Sequence, residues 1–148
     1  MRLPSAIILV GLLSAVSSFA SDWPNAAFAE VRAYAYNKRG FPDRLIVEKG
    51  RLSSTVLNKR GVLLTPAQTS RLVAAVTGYR PRPESEIMCF DPRHAFVFYD
   101  AAKKPVAWVE LCFDCSRALA EPYVDGQVYD VAALEQLTRE LKLPLVSK

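Results

Sequence analysis

The sequence predicts an α+β domain: an antiparallel sheet of four or five strands, centred on a hairpin at about 95–113, with two helices at about 66–77 and 131–142. Three observations lead there. Residues 31–36 alternate in the period-two pattern of a strand. Two runs rich in β-branched and aromatic residues flank the polar stretch Asp100 to Lys104. Two further segments carry helix-start signals followed by apolar residues at helical spacing.

Taken in order, residues 1–20 read as a secretory signal. Arg2 supplies the positive end, Ala6 to Val16 is free of charge, and Ser18-Phe19-Ala20 is a small-x-small cleavage site. The apolar run of about eleven residues falls well short of the roughly 20 that span a bilayer, so no membrane span is expected after cleavage. The domain is then 21–148. No cysteine stands at the cut, as a lipoprotein would need, and Asn25, Asn37 and Asn58 do not form glycosylation sequons. A bacterial periplasm is the compartment these features predict.

In the first strand, Val31, Ala33 and Ala35 alternate with Arg32, Tyr34 and Tyr36, predicting one buried and one solvated face. Gly40 and Pro42 mark a turn. Leu45-Ile46-Val47 is a short apolar run before the Lys49-Gly50 turn, and Leu52 to Leu57 reads as a further strand. Thr65-Pro66-Ala67-Gln68 forms a capping box with proline at the first helical position. Leu72, Val73 and Val76 follow at helical spacing, and Gly78 is placed to end the helix in the left-handed conformation. Residues 79–84 read as an irregular connection. Residues 95–99 and 106–113, apolar on both faces, predict a central hairpin with helix on at least one side. Asp130 caps the last helix, with Val131, Leu134, Leu137 and Leu141 on one stripe and Pro144 beyond its end.

The net charge of +4 is spread over Lys38-Arg39, Lys59-Arg60, Arg80-Pro81-Arg82 and Lys103-Lys104, each at an expected turn. A nucleic-acid face would gather such residues on one element with aromatics between them, so no nucleic-acid partner is predicted. With one histidine and no G-x-S-x-G elbow, the sequence offers no hydrolytic machinery. Asp91, Asp100, Glu110 and Asp114 cluster around the hairpin but read as solvated carboxylates, with Arg93 available to neutralise one. Trp108, Tyr99 and Phe98 read as core aromatics or a ligand surface.

All three cysteines and the histidine fall within one stretch, making Cys89, His94, Cys112 and Cys115 the candidate site. One reading is a structural disulfide from Cys89 to Cys112 or Cys115, since antiparallel pairing brings the ends of the hairpin together and the expected compartment is oxidising. A second is a Cys3His site for zinc, or for copper(I) with Met88 adding a soft thioether, although C-x4-H is wide for a half-site. A third is a thiol oxidoreductase at Cys112 and Cys115. It would need a helix at 116–121 to lower the thiol pKa, and it lacks the βαβ context of a thioredoxin.

Hairpin register tests the metal set. An even turn, with Asp100 opposite Pro105, pairs His94 with Leu111 and points His94 and Cys112 to opposite faces. An odd turn, with Asp100 opposite Lys104, puts them on one face.

The segment C-F-D-P-R-H-A-F-V-F-Y-D at 89–100, followed by V-E-L-C-F-D-C at 109–115, resembles a motif in small exported bacterial proteins of unassigned function. The resemblance implies export and a single Cys/His unit, and it does not choose between metal and disulfide. The expectation is therefore a small exported protein that binds an unknown protein, metal or cell-envelope partner and does not catalyse.

Overall fold

A computed structural model describes residues 22–37, 46–78, 90–124 and 129–144. The chain is an α+β fold. The main sheet contains β1 (Glu30–Ala35), β4 (Val62–Leu63), β5 (His94–Tyr99), β6 (Pro105–Cys112) and β7 (Arg117–Glu121), in the order β4-β1-β5-β6-β7. Every neighbouring pair is antiparallel. A separate two-stranded ribbon, β2 (Val47–Glu48) and β3 (Arg51–Leu52), turns at Lys49 and Gly50, both in the left-handed region. The helices are α1 (Pro66–Thr77) and α2 (Val131–Glu140).

Both helices lie on one face of the sheet. Leu72, Ala75 and Val76 of α1 and Leu134 and Leu137 of α2 pack with Val31, Ala33, Phe96, Phe98, Ala107, Val109 and Leu111. The other sheet face is also covered: Tyr34, Tyr36, Ala95, Val97 and Tyr99 pack with Ile46, Val47 and Val56, and with half-buried Leu52 and Trp108. This corrects the expectation of a solvated face on β1. Tyr34 and Tyr36 are buried because the segment from Ile46 to Val56 folds across them and their hydroxyls find partners within the sheet, Tyr99 and Glu110. Phe98 belongs to the helix-side core, whereas Tyr99 and Trp108 lie on the opposite face.

The helix boundaries follow from the capping chemistry. The Thr65 hydroxyl accepts from Gln68 N–H at 3.2 Å and the Gln68 side chain accepts from Thr65 N–H at 2.9 Å, closing the capping box. Gly78 ends α1, but in extended backbone (φ −66°, ψ 130°) and not the left-handed conformation expected. Its N–H donates to Ala74 O at 2.8 Å, and a Cβ there would meet the same oxygen at 2.8 Å, so close approach is what the glycine permits. Asp130 caps α2 through Ala133 N–H. The expected strand at Leu52 to Leu57 is only β3 plus an isolated bridge between Val56 and Tyr36. The short edge strand β4 carries no sequence signal of its own. The leader, the turn after Asn37, residues 79–84 and Cys89 lie outside the described residues.

Candidate functional site

The hairpin that should organise the cysteines and the histidine has two registers. At its tip Tyr99 pairs with Pro105, and Asp100 N–H donates to Lys104 O at 3.0 Å, the odd turn. One residue on, Phe98 pairs with Ala107, leaving Val106 as a bulge that resets the ladder to Phe96 with Val109 and His94 with Leu111. His94 and Cys112 therefore point to opposite faces. Of the expected ligand set, His94 and Cys112 thus do not share a face, and Cys89 lies outside the described residues.

Cys112 ends β6 and Cys115 lies in the turn leading to β7, and their sulfurs are bonded to each other. The bridge expected from Cys89 to one of them is thus corrected to a bond within the C-x-x-C pair. The cause is local: Cys112 pairs with Arg117 across a four-residue turn closed by Ser116 N–H to Phe113 O, with Ser116 left-handed at φ 49°, which folds Cys115 back onto Cys112. Closing so short a loop stabilises by about 2 kcal/mol in the chain-entropy treatment, less than a loop of about 25 residues would. Both cysteines are buried, at 1% and 2% exposure. Bonded sulfurs are not thiolate ligands. The helix that the oxidoreductase reading needs after Cys115 is strand β7, so no helix N-terminus activates either sulfur. Among the described residues no group of three His, Cys, Asp or Glu side chains is placed to hold a metal ion.

His94 is 2% exposed on the helix face. Its Nε2 lies 2.8 Å from Pro144 O; a carbonyl can only accept, so Nε2 carries the proton. Its Nδ1 is, among the described residues, the one buried side-chain nitrogen or oxygen without a hydrogen-bond partner. The ring packs 5.0 Å from that of Phe113. Burial holds its pKa below the ordinary histidine value, partly opposed by the Pro144 carbonyl. The neutral imidazole ties β5 to the chain beyond α2.

Glu110 is 1% exposed in mid-strand, on the face away from the helices, and not a solvated hairpin carboxylate as its neighbourhood suggests. Its Oε1 accepts from Tyr36 OH at 2.9 Å and from Ile46 N–H at 2.7 Å. Burial, followed by the nearby carboxylate, pushes the Tyr36 phenol far above its ordinary value, so it stays a donor. This arrangement fastens the segment at Ile46 to the sheet. The other carboxylates behave as expected: Arg93 pairs with Asp91 at 2.8 Å, Asp100 accepts from Lys104 N–H within its turn, and Asp114 is exposed.

On the same face lies an open cleft of about 460 Å³, lined by Glu30, Arg32 and Tyr34 of β1, Leu52 of β3, Lys59 and Arg60 of the following turn, and Tyr99 and Lys103 at the hairpin tip. Tyr34 and Tyr99 join hydroxyls at 2.9 Å, and burial raises both phenol pKa values. Glu30 accepts from Arg32 Nε at 2.8 Å and from Lys103 Nζ at 2.6 Å, and these bonds lower its pKa to about 2. Arg32 Nη1 also donates to Arg60 O at 2.7 Å.

Family models, curated proteins and solved structures give no match to the chain.

Sequence reasoning missed both this cleft and the buried Glu110. The basic pairs at 59–60 and 103–104 do sit at turns, yet the fold brings Lys59, Arg60 and Lys103 together beside Arg32. The available signal was Gly61, left-handed at φ 63°. A Cβ there would come within 2.7 Å of the Tyr34 ring, so glycine lets the 59–61 turn lie on β1.

Proposed function

We propose that this protein is a small exported binding domain of a bacterial periplasm, in which the cysteine and histidine segment is structural. The observation that carries the reading is the buried Cys112–Cys115 disulfide at the end of the central strand. A bond of that kind persists in an oxidising compartment and would be a liability in a reducing one. The leader-like segment at 1–20 and the resemblance of 89–115 to a motif of exported bacterial proteins agree with it. His94, spent on a backbone carbonyl and a ring contact, supports a structural role for the segment in place of zinc or copper binding.

Expression in a bacterial host with the leader intact, followed by intact mass of the periplasmic fraction, tests the compartment. Export predicts a mature chain beginning at Ser21. Retention of Met1 in a cytoplasmic product would contradict it.

A further inference from the structure

We propose that the cleft between β1, the 59–61 turn and the hairpin tip binds a phosphoryl group. This inference deepens the binding-domain reading and rests on it for the protein's role.

Charge comes first. Arg32, Lys59, Arg60 and Lys103 line the cleft against a single carboxylate, Glu30. Glu30 is already committed to Arg32 and Lys103 through its two oxygens, so it does not answer Lys59 or Arg60. Among the described residues neither Lys59 nor Arg60 has an ion-pair partner, although the fold holds both beside two other cations. Like charges gathered on a concave surface raise the local concentration of an oppositely charged ligand.

Directional donors come next. Arg32 is pre-oriented: Nε is fixed by Glu30 and Nη1 by the Arg60 carbonyl, which leaves Nη2 with no hydrogen-bond partner among the described residues. At the cleft floor the two tyrosine hydroxyls make one hydrogen bond between them, which uses one of their two protons. The second proton remains to be donated, and the raised pKa values keep it in place at neutral pH. A fixed guanidinium edge, a spare phenol proton and two exposed cations without ion-pair partners among the described residues, Lys59 and Arg60, line one cleft. A tetrahedral dianion can accept from all of them, whereas a carboxylate offers one plane and one charge.

The turn is built to approach. Gly61 allows Lys59 and Arg60 to sit against β1, and Leu52 supplies an apolar wall, so the ligand is larger than the phosphoryl group alone. Such a group could arrive on a soluble phosphate ester or on a phosphorylated lipid headgroup.

Titration of the full mature protein with inorganic phosphate, pyrophosphate and glycerol 3-phosphate, followed by ¹H–¹⁵N NMR, tests the site. A parallel series uses vesicles of phosphatidylcholine with and without phosphatidic acid, whose terminal phosphomonoester supplies the dianion. The expected result is a saturable shift of Gly61 NH, Lys103 NH and Arg32 Nε–H that weakens with salt. Lys59→Glu with Arg60→Glu, both exposed, should weaken binding at least about tenfold while the melting temperature holds. Response to the soluble probes alone assigns a soluble ligand, response to phosphatidic acid vesicles alone assigns a headgroup, and response to both assigns the phosphomonoester itself; each supports the site. No saturable shift with any probe, or an affinity unchanged by the double reversal, would overturn it. Counting thiols on the same sample separates this failure from that of the parent reading, because no cysteine or histidine lines the cleft.

Discussion

Tyr36→Phe removes one hydroxyl from a fully buried ring and nothing else. In the native protein that hydroxyl donates to Glu110 Oε1 at 2.9 Å, and the same oxygen accepts from Ile46 N–H at 2.7 Å. Loss of a buried hydrogen bond of this kind costs about 1–3 kcal/mol. For a domain of this size each kcal/mol lowers the melting temperature by roughly 4 °C. Glu110→Ala goes further, since it leaves the Tyr36 hydroxyl and the Ile46 N–H buried without that acceptor, at about 2–6 kcal/mol. The two changes address one interaction, so their effects should not add. A double-mutant cycle by urea denaturation should return a coupling of about 1–3 kcal/mol. Strict additivity, or a Tyr36→Phe midpoint equal to wild type, would refute the view that this carboxylate fastens the Ile46 segment to the sheet.

His94 should make stability depend on pH. Its folded pKa lies below the unfolded value near 6.5, so the unfolded chain binds the proton more readily. Stability is therefore full above about pH 6.5 and falls by at most about 1.4 kcal/mol per pH unit below it, levelling off under the folded pKa. Urea midpoints at neutral and mildly acidic pH should show the drop in wild type and lose this component in His94→Phe; an identical slope in both would refute the assignment. Gly61→Ala forces a side chain into the left-handed region and against the Tyr34 ring, at about 1–3 kcal/mol. An unchanged urea midpoint would show that the turn does not rest on β1.

Local chemistry was legible in the sequence wherever one short segment decides it. The capping box at Thr65 and Gln68, the Asp130 cap and the apolar double-faced hairpin all depend on neighbouring residues, and each is found where its signals lie. The alternation in β1 was read correctly as a strand, but the pattern cannot say that a distant segment will bury the tyrosine face. Register stays open between two alternatives in the sequence for a related reason. The turn chemistry and the ladder disagree by one residue, and the Val106 bulge absorbs the difference, which no spacing rule reveals. Glu110 was misjudged because a carboxylate between aromatic and aliphatic neighbours looks solvated until its donors, Tyr36 and Ile46, arrive from far along the chain. The disulfide was expected to be long-range and is local, because the tight turn after β6 folds Cys115 back onto Cys112.

The central claim is that the cysteine segment is a structural element of an exported protein. It is tested most directly by native and denaturing intact mass of periplasm-purified protein, with thiols alkylated before and after reduction and peptides mapped without reductant. The account predicts one alkylatable thiol before reduction, three after, a peptide in which Cys112 is bonded to Cys115, and no metal mass lost on denaturation. Three alkylatable thiols in the unreduced protein, with zinc or copper released on denaturation, would contradict it.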